Sequence, residues 1–402
     1  MVSFINRTSA GSALLLVLGI DILSAKADMD MAKESILVRL GIYGGDMNLK
    51  YIFIHGTAGW GSYDKRYEKM PYWGMRGGDL ITYLNEKGFD SYAASVSPFG
   101  SAWDRACELY AQLFGKKVDY GSCHSKAFGH ERFGRDYSEC PLIRELADDT
   151  KLVLIGHSFG GTTARMFAEL MAHGDEDERA AAGEDELSPL FRGGMEGRIH
   201  AVVAVASALN GNSVFEMLAD PDFDLNSVKV PWWSRRFGKM MSDNLQVPTD
   251  GRDARDCGDY DMQIDQALLL NRRMGTLPNV YYFSVPCAFT KKRGDRYVPR
   301  KGMEPFFVMR SFQMGQYTGL TKGGTRIDQR WEKNDGRVNT ISEVSPFGAP
   351  RKHLEPENLE PGIWNVYPVY KGDHMSLQGG LLHKKNIRSF YTDLLTMISA
   401  VN

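Results

Sequence analysis

The sequence predicts an α/β protein built on a mostly parallel sheet flanked by helices, and three stretches carry that prediction. Leu152 to Ile155 is an apolar run of strand length that leads directly into Gly156-His157-Ser158-Phe159-Gly160. Beyond it, Arg165, Met166, Phe167, Leu170 and Met171 recur at helical spacing. Ile199 to Ala206 is a second continuous apolar run, as expected of a strand covered on both faces. Tyr51 to Ile54 is a third, and it ends in a glycine-rich loop from His55 to Gly61.

Bulk properties narrow the class. The 402 residues suffice for one large α/β domain with insertions or for two domains, and 43% hydrophobic residues exclude a wholly disordered chain. Charge is balanced at 48 basic against 50 acidic residues with no basic patch, so no nucleic-acid partner is expected. The five cysteines (Cys107, Cys123, Cys140, Cys257 and Cys287) are odd in number and widely spaced. That excludes a fully paired framework and a CxxC metal site, and it leaves room for one disulfide without requiring any. Arg7, the apolar run Ala13–Ile20 and the small-x-small Ala25-Lys26-Ala27 read as a signal peptide over residues 1–27, which predicts secretion. Asp21 interrupts the pattern, and the competing reading is an N-terminal extension of a cytosolic protein. The run is too short to cross a bilayer, and no transmembrane segment is expected elsewhere.

The remaining elements follow in order. Leu80 to Gly88 reads as a helix with a glycine stop, and Tyr92 to Val96 as a strand. Ser101 opens a helix in which Ala106, Leu109, Tyr110 and Leu113 line one face. His124 and His130 lie in a loop, too far apart for a helical i, i+4 pair, and on spacing alone read as surface histidines. The acidic stretch Gly174–Glu186 reads as a solvated loop. Residues from about 211 to 258 show no sheet period and follow a central strand, where a lid would sit. Trp232 and Trp233, with Arg235, Arg236 and Lys239, suit a lipid–water interface, and core packing explains the tryptophans equally well. Val280–Val285 is a strand, 288–326 reads as loop, Trp364–Val369 is the last strand, and Asn386–Val401 a closing amphipathic helix. There is no internal repeat.

A strand, a tight G-x-S-x-G turn and a helix together form a nucleophile elbow, and the bland reading of a glycine-rich turn without chemistry does not need all three. A serine hydroxyl needs an adjacent base, and the base needs an acid to orient it. The chain order serine, acid, histidine is met by Ser158, Asp335 and His374, with both partners in glycine-bearing turns after strand candidates. Asp373 adjoins His374, and neighbouring side chains diverge; His353 and His383 are rival bases that follow strands less directly. The backbone amides of Thr57, after the early strand, and Phe159, after the serine, are the candidate oxyanion hole.

With these residues in view, the sequence resembles the secreted zinc-containing bacterial lipases of the thermoalkalophilic and staphylococcal type, from about Tyr51 to Met375. The matching motifs are HGTAGWG (55–61), YWGMRGGD (72–79), WDRACELYAQLFGKKVDYG (103–121), HSKAFGHERFGR (124–135), HSFGG (157–161), LSPLFRGG (187–194), RWEKNDGRVNT (330–340) and GDH (372–374). The resemblance implies a single α/β-hydrolase domain over 28–402, with a metal-binding insertion at about 100–135 and a shortened lid. It implies hydrolysis of triacylglycerols and carboxylic esters at a lipid–water interface through an acyl-enzyme on the same Ser158, Asp335 and His374. Carboxylesterase, phospholipase and acyltransferase chemistry on that triad, and a non-catalytic lipid-binding protein on the same fold, are the alternatives. It further implies a structural zinc held by two Asp and two His, of which Asp104, His124 and His130 match three. The fourth ligand is unassigned, with Asp222 to Asn226 a faint match to the segment that carries it. The family's calcium site matches at Gly302, but Ser376-Leu-Gln-Gly379 brings no carboxylate after His374, so that site is expected to be lost.

Overall fold

The computed structural model describes residues 48–181, 186–236 and 251–401. The expected signal peptide, Lys239 and residues 237–250 of the expected lid lie outside the described residues. Strands β1 (Leu49–Ile54), β2 (Ser91–Ala94), β3 (Lys151–His157), β4 (Ile199–Val205), β5 (Tyr281–Val285), β6 (Arg351–His353) and β7 (Trp364–Val366) form a seven-stranded sheet in the order β6-β7-β5-β4-β3-β1-β2. All its pairings are parallel. The predicted apolar runs are its centre: every residue of β4 is buried. Period-two alternation sends the side chains of β1 to opposite faces. Ile52 and Ile54 join the main core cluster, while Phe53 meets Trp73 and Tyr391 at ring distances of 5.0 and 5.7 Å.

The flanking helices are α1 (Leu80–Glu86), α2 (Ala102–Phe114), α3 (Ser122–Phe128), α4 (Phe159–His173), α5 (Glu176–Ala181), α6 (Ile264–Arg273), α7 (Pro305–Met314), α8 (Thr340–Val344) and α9 (Arg388–Ser399). Helix α4 packs on β3 and β4, and α2 packs on α4. The Ser101 hydroxyl caps α2 by accepting from the Asp104 amide at 3.2 Å, and Gly115 ends it in the left-handed region (φ 58°).

Two expectations are corrected, and one strand is added. The acidic stretch after α4 is not simply a solvated loop: it contains α5, and Glu178 on α5 is buried. Residues 288–326 are not loop throughout. They form a hairpin (Thr290–Arg293 with Arg296–Pro299), α7 and a two-residue ladder at Gly319–Leu320 and Arg326–Ile327. Strand β6, of sequence Arg-Lys-His, was not anticipated at all. All five cysteines are free.

Candidate active site and metal cluster

The elbow after β3 holds Ser158 at φ 57° and ψ −129°, a backbone state that L side chains rarely adopt. Close packing dictates the flanking glycine: a Cβ on Gly160 would meet the Ile54 carbonyl oxygen at 2.2 Å. The loop after β1 presses equally close, since a Cβ on Gly56 would lie 2.7 Å from Ser158 Cβ. Thr57 follows in that loop and lines the cavity over Ser158. Phe159 is the first residue of α4, so its amide has no intrahelical acceptor.

The three residues expected to act together are brought together. Ser158 Oγ lies 2.9 Å from His374 Nε2, and His374 Nδ1 lies 2.6 Å from Asp335 Oδ2. Asp335 Oδ1 accepts the amides of Arg337 and Val338 at 2.8 and 2.7 Å. The His374 amide donates to the Asp335 carbonyl at 3.0 Å, tying the two turns together. Neighbouring Asp373 is engaged elsewhere, accepting from the Glu304 amide at 2.8 Å and the Ser376 hydroxyl at 2.9 Å. His353 is exposed on β6, and His383 faces Glu304 at 3.8 Å.

A second hydrogen-bond chain lies behind these residues. The Gly56 amide donates to Tyr72 Oη at 3.0 Å, Tyr72 Oη meets His157 Nδ1 at 2.7 Å, and His157 Nε2 meets the His374 carbonyl at 2.8 Å. The neutral ring that donates from Nε2 and accepts at Nδ1 satisfies both contacts. Burial first, and then neighbouring His374, hold the His157 imidazole down at about 3. Above Ser158 and His374 opens a cavity of about 720 Å³, walled by Trp60, Phe99, Met262, Phe306, Phe307, Met375 and Leu381. Its lining is largely apolar, with a few convergent polar groups at its floor.

The candidate ligands Asp104 (α2), His124 (α3) and His130 also converge, and Asp256 joins them; one ligand atom from each of the four lies within 4.8 Å of the others. Asp222 and Asp224, in the segment with the faint ligand match, are exposed; the Asp222 amide donates to Asp220 Oδ1, and Asp224 Oδ1 accepts the Asn226 amide, both within local turns. Asp256 lies in an Arg- and Asp-rich stretch far along the chain, where nothing in the spacing marks it. His124 Nε2 is 3.1 Å from Asp104 Oδ1, and His130 Nε2 is 3.3 Å from Asp256 Oδ2. His130 Nε2 and both Asp256 oxygens are buried without a hydrogen bond of good geometry, as atoms aimed at a cation would be. His130 Nδ1 is 2.9 Å from the Glu131 carbonyl, which fixes the tautomer that leaves Nε2 free to ligate. Two carboxylates and two imidazoles make a donor set that fits a divalent metal.

Comparisons with known proteins agree on the fold. EstA from Clostridium botulinum superposes with a TM-score of 0.75 at 31% identity, covering 89% of this chain and 88% of that one. The lipase of Staphylococcus hyicus superposes with a TM-score of 0.72 at 26% identity, covering 88% of this chain and 97% of that one. A lipase of Staphylococcus epidermidis is 28% identical over 354 residues, 82% of this chain and 49% of the relative, so the chain spans about half the length of the curated relatives it matches. The parallel sheet with its strand–elbow–helix is that of an α/β-hydrolase. A family model described as "Lipase-like, C-terminal domain" matches residues 48–226. The chain belongs to the staphylococcal-type lipase family.

Proposed function

We propose that the protein hydrolyses lipid esters, triacylglycerols among them, through an acyl-enzyme on Ser158. The observation that carries this reading is the hydrogen-bonded series Ser158–His374–Asp335 beneath a largely apolar cavity. His374 Nε2 takes the hydroxyl proton as Ser158 Oγ attacks the ester carbonyl, and Asp335 holds the Nδ1–H and faces the imidazolium. The Thr57 and Phe159 amides stabilise the oxyanion, a donor of this kind contributing roughly 10²–10³ in rate. His374 returns the proton to the departing alcohol. Water, deprotonated by the same ring, then splits the acyl-serine to free acid and serine.

Other parts of the reading rest on separate observations. Residues 211–258 act as the lid, and Trp232, 83% exposed, favours the interfacial role of its tryptophan pair over core packing. The insertion at 100–135 with Asp256 holds a structural zinc, which when bound neutralises the converging carboxylates and ties α2 and α3 to the 251–258 segment. The family's calcium site is expected to be lost, because Ser376-Leu-Gln-Gly379 brings no carboxylate after His374. The signal-like residues 1–27 direct secretion.

The test is hydrolysis of a p-nitrophenyl ester series and of emulsified triglycerides by wild type and Ser158→Ala. Long-chain cleavage lost in Ser158→Ala is the expected result. Cleavage of short soluble esters alone would make the protein an esterase, and full activity in Ser158→Ala would remove the serine mechanism.

A further inference from the structure

Asp335 does not end the buried chain. Glu343, on α8, is fully buried, as Asp335 is. Its Oε2 accepts the Cys287 amide at 2.6 Å. Its Oε1 is buried with no hydrogen-bond donor among the described residues, and the group within hydrogen-bonding reach is the carboxyl of Asp335. Two ionised carboxylates offer each other only lone pairs, so the contact is favourable only when one of them carries a proton.

The donor pattern says which one. Asp335 receives two backbone amides and the His374 ring, and each donor favours its anionic form. Glu343 receives one amide. Burial, and then the charge of Asp335, push the Glu343 carboxyl well above the ordinary carboxylate range. Of the other titratable groups facing it, Lys333 acts in the opposite direction, and the Cys287 thiol is pushed up by burial and stays neutral.

We propose that Glu343 is a positioning residue for the site: as a neutral acid it donates a hydrogen bond to Asp335 and so fixes the carboxylate that orients His374. The inference rests on the serine mechanism above. A neutral donor anchors Asp335 without adding a second negative charge beneath the imidazole.

Two substitutions and one spectrum test it. Glu343→Gln keeps the arrangement, with its amide N–H toward Asp335 and its carbonyl toward the Cys287 amide, and should retain wild-type kcat/KM and the wild-type acidic limb of its pH profile. Glu343→Met removes the donor and should lower kcat/KM roughly tenfold. Its acidic limb should move to higher pH, because an Asp335 that shares no proton stabilises the imidazolium more strongly. Equal impairment in both variants, or wild-type rate and profile in Glu343→Met, would overturn the proposal. The infrared difference between wild type and Glu343→Gln in heavy water at neutral pH should show one protonated carboxylic acid. An ionised carboxylate in its place would overturn the proposal whether or not Glu343→Met folds. That spectrum needs no turnover, so it separates failure of this proposal from failure of the serine mechanism, which Ser158→Ala reads.

Discussion

His157 Nε2 donates to the carbonyl oxygen of His374 at 2.8 Å, so the residue before the serine holds the backbone of the residue opposite it. The same ring accepts from Tyr72, which accepts from the Gly56 amide. One neutral imidazole therefore ties the elbow, the turn of His374 and the loop bearing Thr57 into a single hydrogen-bonded frame. Protonation would turn Nδ1 from acceptor to donor, so the Tyr72 hydroxyl would have to accept there and turn its own O–H away.

The pH dependence of stability follows from that frame. His157 is held at about 3 in the native state, against about 6.5 in an unfolded chain. The lowered native value means that unfolding takes up a proton below the unfolded value. The contribution is whole above about pH 6.5 and is lost progressively as pH falls toward the native value. Between pH 7 and pH 5 wild type should lose about 2 kcal/mol that His157→Gln does not lose. Urea midpoints for both proteins across that range check it; parallel curves would show that His157 ionises as freely native as unfolded.

Removing the metal should unfold one corner before the sheet. Without a cation the cluster sets Asp104 against Asp256, both buried, with Arg252 Nη1 2.9 Å from Asp104 Oδ2 as partial relief. Chelation should lower the melting temperature, and Asp256→Ala should lower it without chelator and respond little to chelation afterwards. At a free metal concentration a thousandfold above Kd, the stabilisation is about 4 kcal/mol. Metal analysis of the purified protein should find one zinc per chain in wild type and none in Asp256→Ala. A chelator-insensitive wild type would reduce the cluster to an ion-pair network.

Glu178 supports the same corner. Its two oxygens accept the amides of Cys123 and His124 at 3.0 and 2.7 Å, capping the start of α3. Glu178→Gln can accept only one of them and turns an N–H toward the other, so it should cost about 1–3 kcal/mol. It should also weaken metal retention in a competition assay, because His124 sits on the helix whose first turn is loosened. Unchanged metal retention would confine the role of Glu178 to local folding.

The parts legible in the sequence were those fixed by local pattern. The runs Leu152–Ile155 and Ile199–Val205 announced themselves because central parallel strands are apolar on both faces. Ser158, Asp335 and His374 could be chosen because turn chemistry and chain order constrain them. Strand β6 could not, since Arg-Lys-His at a sheet edge looks like any charged loop. The hairpin at Thr290–Pro299 escaped notice for a similar reason: Lys291, Lys292 and Arg293 are all exposed and give no alternation. Asp256, Glu178 and Glu343 were hidden because their roles are set by burial beside residues distant in sequence, and a carboxylate in a polar stretch carries no sign of that burial.

Arg105 supplies the last prediction. It is fully buried, donates from Nη2 to the His55 carbonyl in the loop bearing Thr57, and lies over the Phe159 ring at 5.0 Å. Its Nε and Nη1 have no hydrogen-bond partner among the described residues. Burial lowers its guanidinium to about 10, which still leaves it charged at neutral pH. A buried cation is costly, and this one, with Glu108 opposing that cost by its charge, is held where it touches the elements carrying both candidate oxyanion amides. Arg105→Met should remove the anchor on the His55 carbonyl and displace the Thr57 amide. The expected result is a fall in kcat of roughly tenfold or more with KM little changed, since an interaction made in the transition state is what is lost. Arg105→Lys should recover part of the rate, because a single ammonium reaches the carbonyl but cannot stack as the guanidinium does. A raised KM with unchanged kcat in Arg105→Met would instead assign Arg105 to the wall of the binding cavity.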